Sequence, residues 1–298
     1  MSIKIDKYFQ KSTIRIKITG ECNMECPFCH KEGGMNDLSE IYPNEQFVNV
    51  IKEMCDKYKI SDIVLTGGEP LCNQYLNDII YKLKQLKQIE TIRVVTNAFL
   101  PKELEYWKRL KESGLDSVTI SCHNINFKDK FGNSIVQQLQ NADIIKRLNI
   151  HLKFNIVPYK DLVTLENIYN MISTKFDNTD IVLLNELNDI KKSTSIIDEF
   201  ISKHGFIATN ELITRKETSN VLIKYVSKDN KYLFRKKHNL YKHPIYCKDC
   251  KSVCREGFYG YRLEKKNDRY YLRLCLDRND RNVNIEVQHI FGRENVRV

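Results

Sequence analysis

Three cysteines, Cys22, Cys26 and Cys29, fall in the run Thr19-Gly20-Glu21-Cys22-Asn23-Met24-Glu25-Cys26-Pro27-Phe28-Cys29-His30, a Cys-x3-Cys-x2-Cys spacing. Three thiolates leaving one short loop can grip three irons of a cubane cluster and leave the fourth iron without a protein ligand. That open iron is where a second molecule can bind. Zinc, with His30 as fourth ligand, is the competing reading, but neighbouring Cys29 and His30 are poorly placed to converge on one tetrahedral ion. Further along, the β-like run Asp62-Ile63-Val64-Leu65 ends in Thr66-Gly67-Gly68-Glu69-Pro70. Two glycines there let backbone approach a ligand closely, and Glu69 can meet a cation.

A second group lies late in the chain, at Cys247, Cys250, Cys254 and Cys275. Four thiolates suffice for a whole iron-sulfur cluster. A zinc ribbon is the alternative, because paired cysteines beside hairpins also suit tetrahedral zinc. Of the other cysteines, Cys55 falls on a helical apolar stripe and reads as core, and Cys72, just after Pro70, reads as packing.

The chain has 298 residues, ten of them cysteine, and a net charge of +10. Residues 1–7 carry no apolar signal core and no apolar run is long enough to span a bilayer, so the cysteines read as metal ligands in a reducing cytoplasm. Roughly 24 cationic and 25 acidic side chains precede residue 191, against roughly 24 and 13 after it. The excess in the last third is either a solvated basic surface or an attractor for an anionic substrate. No Lys or Arg run argues for nucleic acid by itself.

The elements that must position these residues alternate β-rich and amphipathic runs over the first 190 residues, which predicts repeated βα units and a parallel sheet. Candidate strands are 14–18, 62–66, 91–96, 117–121, 151–157 and 180–185. Helical stripes run through Phe47, Ile51, Met54, Cys55 and Tyr58 and through Leu76, Ile79, Ile80 and Leu83; others span Pro101 to Gly114, Ile135 to Leu148 and Leu165 to Ile172, with Ser193 capping a sixth. The fold class is therefore α/β, a partial (β/α)6 TIM-like barrel over residues 1–205. Residues 206–298 form a small hairpin-rich extension that holds the second cysteine group: one hairpin turns at Asp229-Asn230, and a second, turning at Asn267-Asp268, carries Cys275 back toward Cys247. Chemistry in such barrels sits where strands end, which draws attention to Thr96 and Asn97, to Ser121, Cys122, His123 and Asn124, to Asn155, and to Asn185 and Glu186.

The cysteine loop with Phe28 before its last Cys, together with Gly67-Gly68-Glu69-Pro70, resembles the radical SAM superfamily. The resemblance implies that Cys22, Cys26 and Cys29 hold a 4Fe-4S cluster whose open iron is chelated by S-adenosylmethionine. It also implies that Gly67, Gly68, Glu69 and Pro70 meet the methionine end, that the backbone of Phe28 lies near adenine, and that Ser121 contacts ribose. Thr96, Asn97 and Asn155 join the cofactor-binding candidates. A late Cys-x2-Cys followed by a hairpin ending in Cys275-Leu276 is similar to the GTP 3',8-cyclase branch, whose auxiliary cluster (twitch- or SPASM-like) binds a guanine base; Cys247, Cys250 and Cys275 match its ligands.

Cys254 is additional, and Arg293 to Val298 lack the branch's terminal Gly-Gly pair, which points to a relative with another substrate. The implied chemistry is reductive cleavage of S-adenosylmethionine to a 5'-deoxyadenosyl radical that abstracts hydrogen from substrate, fed by an electron donor such as flavodoxin or ferredoxin. The expected substrate is a small anionic, nucleotide-like molecule or natural-product intermediate. Competing readings are modification of a ribosomal peptide, for which no extra leader-binding domain is evident, and a metal-stabilised nucleic-acid-binding module, which leaves Gly67 to Pro70 unexplained. Arg262 and Arg273 are candidate anion clamps. Cys122 is a candidate hydrogen donor to a substrate radical, against the plainer reading of a small buried hydrophobe.

Overall fold

The computed structural model of the chain describes residues 12–30, 39–214, 218–238, 240–278, 280–281 and 283–287. The expectations placed on residues 1–7 and 293–298 lie outside the described residues. Six strands, β1 (Ser12–Thr19), β2 (Ile60–Gly67), β3 (Thr91–Thr96), β4 (Ser117–Ser121), β5 (His151–Ile156) and β6 (Asp180–Leu183), alternate with six helices. These are α1 (Glu45–Tyr58), α2 (Leu76–Lys84), α3 (Leu104–Glu112), α4 (Ile135–Arg147), α5 (Leu162–Lys175) and α6 (Ile190–Lys203). The stripes read from the sequence are the faces that are buried: α1 sinks Phe47, Ile51, Met54 and Cys55, and α2 sinks Leu76, Ile79, Ile80 and Leu83.

Local chemistry sets the helix starts. Asn44 caps α1 by accepting from the Phe47 amide at 2.9 Å, and Ser134 with Gln137 forms a capping box on α4. Two expected starts move. Asp189, not Ser193, caps α6, while Ser193 sits in the first turn and accepts from the Glu186 amide; α3 begins at Leu104 behind Glu103 rather than at Pro101.

Strands β7 (Ile207–Thr214), β8 (Asn220–Val226), β9 (Tyr232–His238), β10 (Tyr261–Lys266), β11 (Arg269–Arg273) and β12 (Asn284–Glu286) join one twelve-stranded sheet, ordered β12-β11-β10-β1-β2-β3-β4-β5-β6-β9-β8-β7. Both hairpins form as expected, β8 with β9 and β10 with β11. Their inner strands, β9 beside β6 and β10 beside β1, run parallel to the barrel strands, so the parallel wall has eight strands rather than six. β7 escapes the sequence reading because its pairing with β8 shifts register between Ala208 and Leu212, which breaks the alternation a strand shows.

Alternation divides the sheet's two faces. Ile92 and Val94 of β3 are buried in the core, whereas Arg93 and Val95 face a cavity of about 340 Å³ inside the wall.

Candidate active site

Thr19, Gly20 and Glu21, which lead into the cysteine loop, press backbone to backbone against the loop after β2. The Gly68 amide donates to the Thr19 carbonyl at 2.9 Å, and the Glu69 amide to the Glu21 carbonyl at 2.7 Å. A Cβ on Gly67 would stand 2.3 Å from the Thr19 oxygen, and one on Gly68 2.1 Å from the Glu21 oxygen. The glycines therefore serve first to let two loops meet, where the sequence suggested a close approach to ligand. Cys22 and Cys26 are half-buried, Cys29 is exposed, and all three line the cavity. Burial pushes the Cys22 thiol up to about 11 and the Cys26 thiol up to about 12.

Glu69 lies at the centre of this joint and is 1% exposed. Its Oε1 accepts from the Leu71 amide at 2.9 Å and from Thr96 Oγ1 at 2.5 Å, and its Oε2 accepts from the Asn97 amide at 2.6 Å. Burial raises its pKa from 4.5 to about 7, opposed by those hydrogen bonds. Between these values the folded protein keeps a proton that the unfolded chain has released, so stability falls as pH rises through the window. Glu69→Gln is expected to flatten that slope in urea titrations between pH 4.5 and 7. Pro70 opens a short 3-10 turn, Pro70–Cys72, that packs into the core; Cys72 is half-buried beside it.

At the ends of the later strands, Thr96, Asn97, Ser121, Asn155, Asn185 and Glu186 line the cavity. Phe28 lies against His123 edge-on at 4.9 Å and against Tyr159 at 4.6 Å. His123 is held neutral: burial lowers its pKa to about 4, and its Nδ1 accepts from the Val157 amide at 2.9 Å, which leaves the proton on Nε2. Asn124 instead turns to Tyr159, donating to its hydroxyl at 2.8 Å.

Cys122 does not reach the cavity. Ser121 and His123 flank it and face inward, so its side chain points the other way, into the hydrophobic core at 1% exposure. The expectation of a hydrogen donor is corrected by that parity. Cys122→Ala is expected to cost about 1 kcal/mol of stability and to leave product unchanged, as a melt and product analysis would read. Cys55 is core, as expected.

The charge of the cavity comes from both ends of the chain. Arg15 and Arg93, in register on either side of Val64, and Lys153 face it from β1, β3 and β5; Lys236, Arg255 and Arg262 reach it from the last third. Against them stand Glu69, Glu186 and Glu256. Glu256 crosses from the β9 side to the β10 side, 2.5 Å from Arg262 Nη2 and 3.7 Å from Lys236 Nζ, while Tyr259 carries Lys236 over its ring at 4.1 Å. Arg273, the other expected clamp, is spent elsewhere, donating to the Cys275 carbonyl at 3.0 Å.

Residues 16–172 match the Radical SAM superfamily. The chain belongs to the radical SAM superfamily. It is 29% identical over 288 residues to a protein of Sulfurisphaera tokodaii named "Probable GTP 3',8-cyclase", covering 91% of this chain and 83% of that one. It is 26% identical over 295 residues to a protein of that name from Methanocella arvoryzae, covering 94% and 87%.

The crystal structure of Streptococcus suis SuiB bound to S-adenosylmethionine shares the fold with a TM-score of 0.53 at 13% identity, covering 86% of this chain and 58% of that chain. The chain thus spans less than two thirds of that structure's length. As a radical SAM protein it is an enzyme of that class, whose cofactors are a 4Fe-4S cluster and S-adenosylmethionine. Among the described residues no helix is long and apolar enough to cross a membrane.

The second cysteine group is gathered by its neighbours in this radical SAM chain. Arg255, next to Cys254, donates its amide and Nε to the Asp277 carboxylate at 2.9 and 2.6 Å, which ties the Cys254 turn to the Cys275 turn. Arg278 Nη1 donates to the Tyr246 carbonyl at 2.8 Å, beside Cys247, and the pKa of the Cys250 thiol is lowered by the Ser252 backbone amide first, with the Arg278 guanidinium adding to it. All four thiols are half-buried. Among the described residues no three His, Cys, Asp or Glu side chains converge on one ion-sized point.

Sequence reading missed Asn23 and Asp129, which brace the cysteine loop, and the inward cations Arg15, Arg93 and Lys153. The cations carried a signal: each is a charged position within a strand whose neighbours on either side are apolar or Thr.

Proposed function

We propose that this enzyme abstracts hydrogen from a small anionic, nucleotide-like substrate bound in the barrel cavity. Cys22, Cys26 and Cys29 hold its 4Fe-4S cluster, and Cys247, Cys250, Cys254 and Cys275 hold a second. The observation that carries the reading is the cationic lining, in which Arg15, Arg93 and Lys153 rise from alternate barrel strands and meet Lys236, Arg255 and Arg262. A cavity of about 340 Å³ lies in the range of small-molecule sites. When bound, the cluster and S-adenosylmethionine supply one-electron cleavage and hydrogen-atom abstraction.

The chain's own residues do the rest. Glu69 and the loop it organises receive the cofactor's methionine end; Ser121, Asn155 and the aromatic wall of Phe28 and His123 receive its nucleoside. The cations orient the substrate's anionic group, and the buried wall excludes water. A one-electron donor of the flavodoxin or ferredoxin kind completes the requirement.

The name of these relatives, probable GTP 3',8-cyclase, makes GTP the first probe. Reduced, cluster-loaded enzyme is incubated with S-adenosylmethionine and either nucleoside triphosphates or the parent nucleosides, and 5'-deoxyadenosine is measured. Stimulation by a triphosphate, with Lys153→Ala raising KM about tenfold, is the expected result. Equal stimulation by the uncharged nucleosides, or by a neutral peptide that triphosphates do not displace, would contradict it.

A further inference from the structure

Asn23 stands between the first two cysteines of the loop and is fully buried at 0% exposure. Its Nδ2 donates to Asp129 Oδ2 at 2.8 Å, its Oδ1 accepts from Asn97 Nδ2 at 2.8 Å, and its carbonyl accepts from the Lys130 amide at 2.9 Å. Asp129 is itself anchored, accepting from the Phe131 and Asn133 amides, each at 2.9 Å, and from Asn133 Nδ2 at 3.0 Å. These bonds hold its carboxyl below the usual carboxylate range against the opposing effect of burial. On the other side Asn97 is fixed three ways: its amide donates to Glu69 Oε2, its Oδ1 accepts from the Phe99 amide at 2.9 Å, and its carbonyl accepts from Gln138 Nε2 at 2.6 Å.

We propose that Asn23 is a positioning residue that couples the cysteine loop to the S-adenosylmethionine site through Asn97 and Glu69. This rests on the reading of those two places as cluster and cofactor sites. The chain Asp129, Asn23, Asn97, Glu69 runs from an anchored carboxylate to the buried carboxylate at the centre of the loop joint. An amide is what position 23 requires, because it must donate to a carboxylate and accept from a second amide at once. Aspartate there would set two buried carboxylates against each other, and alanine would leave Asp129 and Asn97 each short of a partner. The loop and the cofactor pocket are thereby held in one geometry, and losing either end of the Asn23 to Asn97 bond is equivalent to losing the other.

That equivalence is measurable as a double-mutant cycle. Asn23→Ala, Asn97→Ala and the double variant are loaded anaerobically with iron and sulfide. They are kept oxidised so that S-adenosylmethionine is not cleaved, and its Kd is measured by equilibrium dialysis. Electron paramagnetic resonance of the reduced cluster is recorded with and without the cofactor. Each single variant is expected to raise Kd about tenfold and the double by no more than about that, with a diminished cofactor-induced change in the signal.

Singles that bind as wild type, or a double variant weakened about a hundredfold, would overturn the coupling. If Asn23→Ala fails to hold iron, Asn97→Ala and Asp129→Asn leave the loop's own residues intact and carry the test; unchanged Kd in both overturns it. Wild type that takes up neither iron nor cofactor refutes the underlying site reading instead, whereas wild type that binds both alongside additive variants refutes the coupling alone.

Discussion

Gly68→Ala is expected to cost about 3 kcal/mol and to weaken S-adenosylmethionine binding about a hundredfold. The added methyl would lie 2.1 Å from the Glu21 oxygen, 2.5 Å from the Glu21 carbonyl carbon and 2.8 Å from the Gly20 oxygen. All three are backbone atoms, so no side chain can swing aside. Relief requires the cysteine loop and the Gly67 to Pro70 loop to separate, which breaks the bonds from the Gly68 and Glu69 amides and moves Glu69 away from its place. Urea unfolding and equilibrium dialysis read the two effects. A Gly68→Ala protein that melts and binds as wild type would show that the joint has slack that its atoms do not display.

Arg262→Met is the second large effect. Arg262 is 5% exposed and Glu256 9%, and their contact at 2.5 Å lies where the β9 and β10 sides of the wall meet. Removing one member of a buried pair leaves the other's charge to be solvated by whatever remains, a loss of about 3 to 5 kcal/mol; Lys236, 3.7 Å from Glu256, keeps the expected cost near ~3 kcal/mol. The cavity also loses a cation, so an anionic substrate should bind more weakly. Glu256→Gln separates the two effects: it removes a negative charge from the wall and is expected to tighten anion binding while it too destabilises the fold. Unfolding midpoints and the Kd for tripolyphosphate measure both, and a Glu256→Gln protein with weakened anion binding would contradict the electrostatic account.

Local pattern carried much of this into the sequence. The cysteine spacing, Gly67 to Pro70, six strands and the helical stripes are each decided within a few residues, and each has a counterpart in the fold. What stayed hidden depends on distance or on parity. β9 and β10 read as parts of an appended domain, because nothing in a hairpin's own sequence tells that its outer edge will pair in parallel with β6 or β1. Asn23 carries no local signal, since its partners Asn97 and Asp129 lie far along the chain. Cys122 was a matter of parity: the residues on either side of it face the cavity, so the thiol cannot. Arg273, opposite Arg262 in the β10 and β11 pairing, shares its strand chemistry but is turned to the Cys275 carbonyl, which composition alone could not distinguish.

The most direct test of the central claim is iron and sulfide analysis with electron paramagnetic resonance and a 5'-deoxyadenosine assay, applied anaerobically to wild type and to a Cys22, Cys26, Cys29 triple alanine variant. Two clusters predict about eight irons in wild type and about four in the variant, with 5'-deoxyadenosine formed only by wild type. About four irons and one zinc in wild type would make the C-terminal site structural. A wild-type protein that holds no iron after reconstitution and forms no 5'-deoxyadenosine would contradict the account at its root.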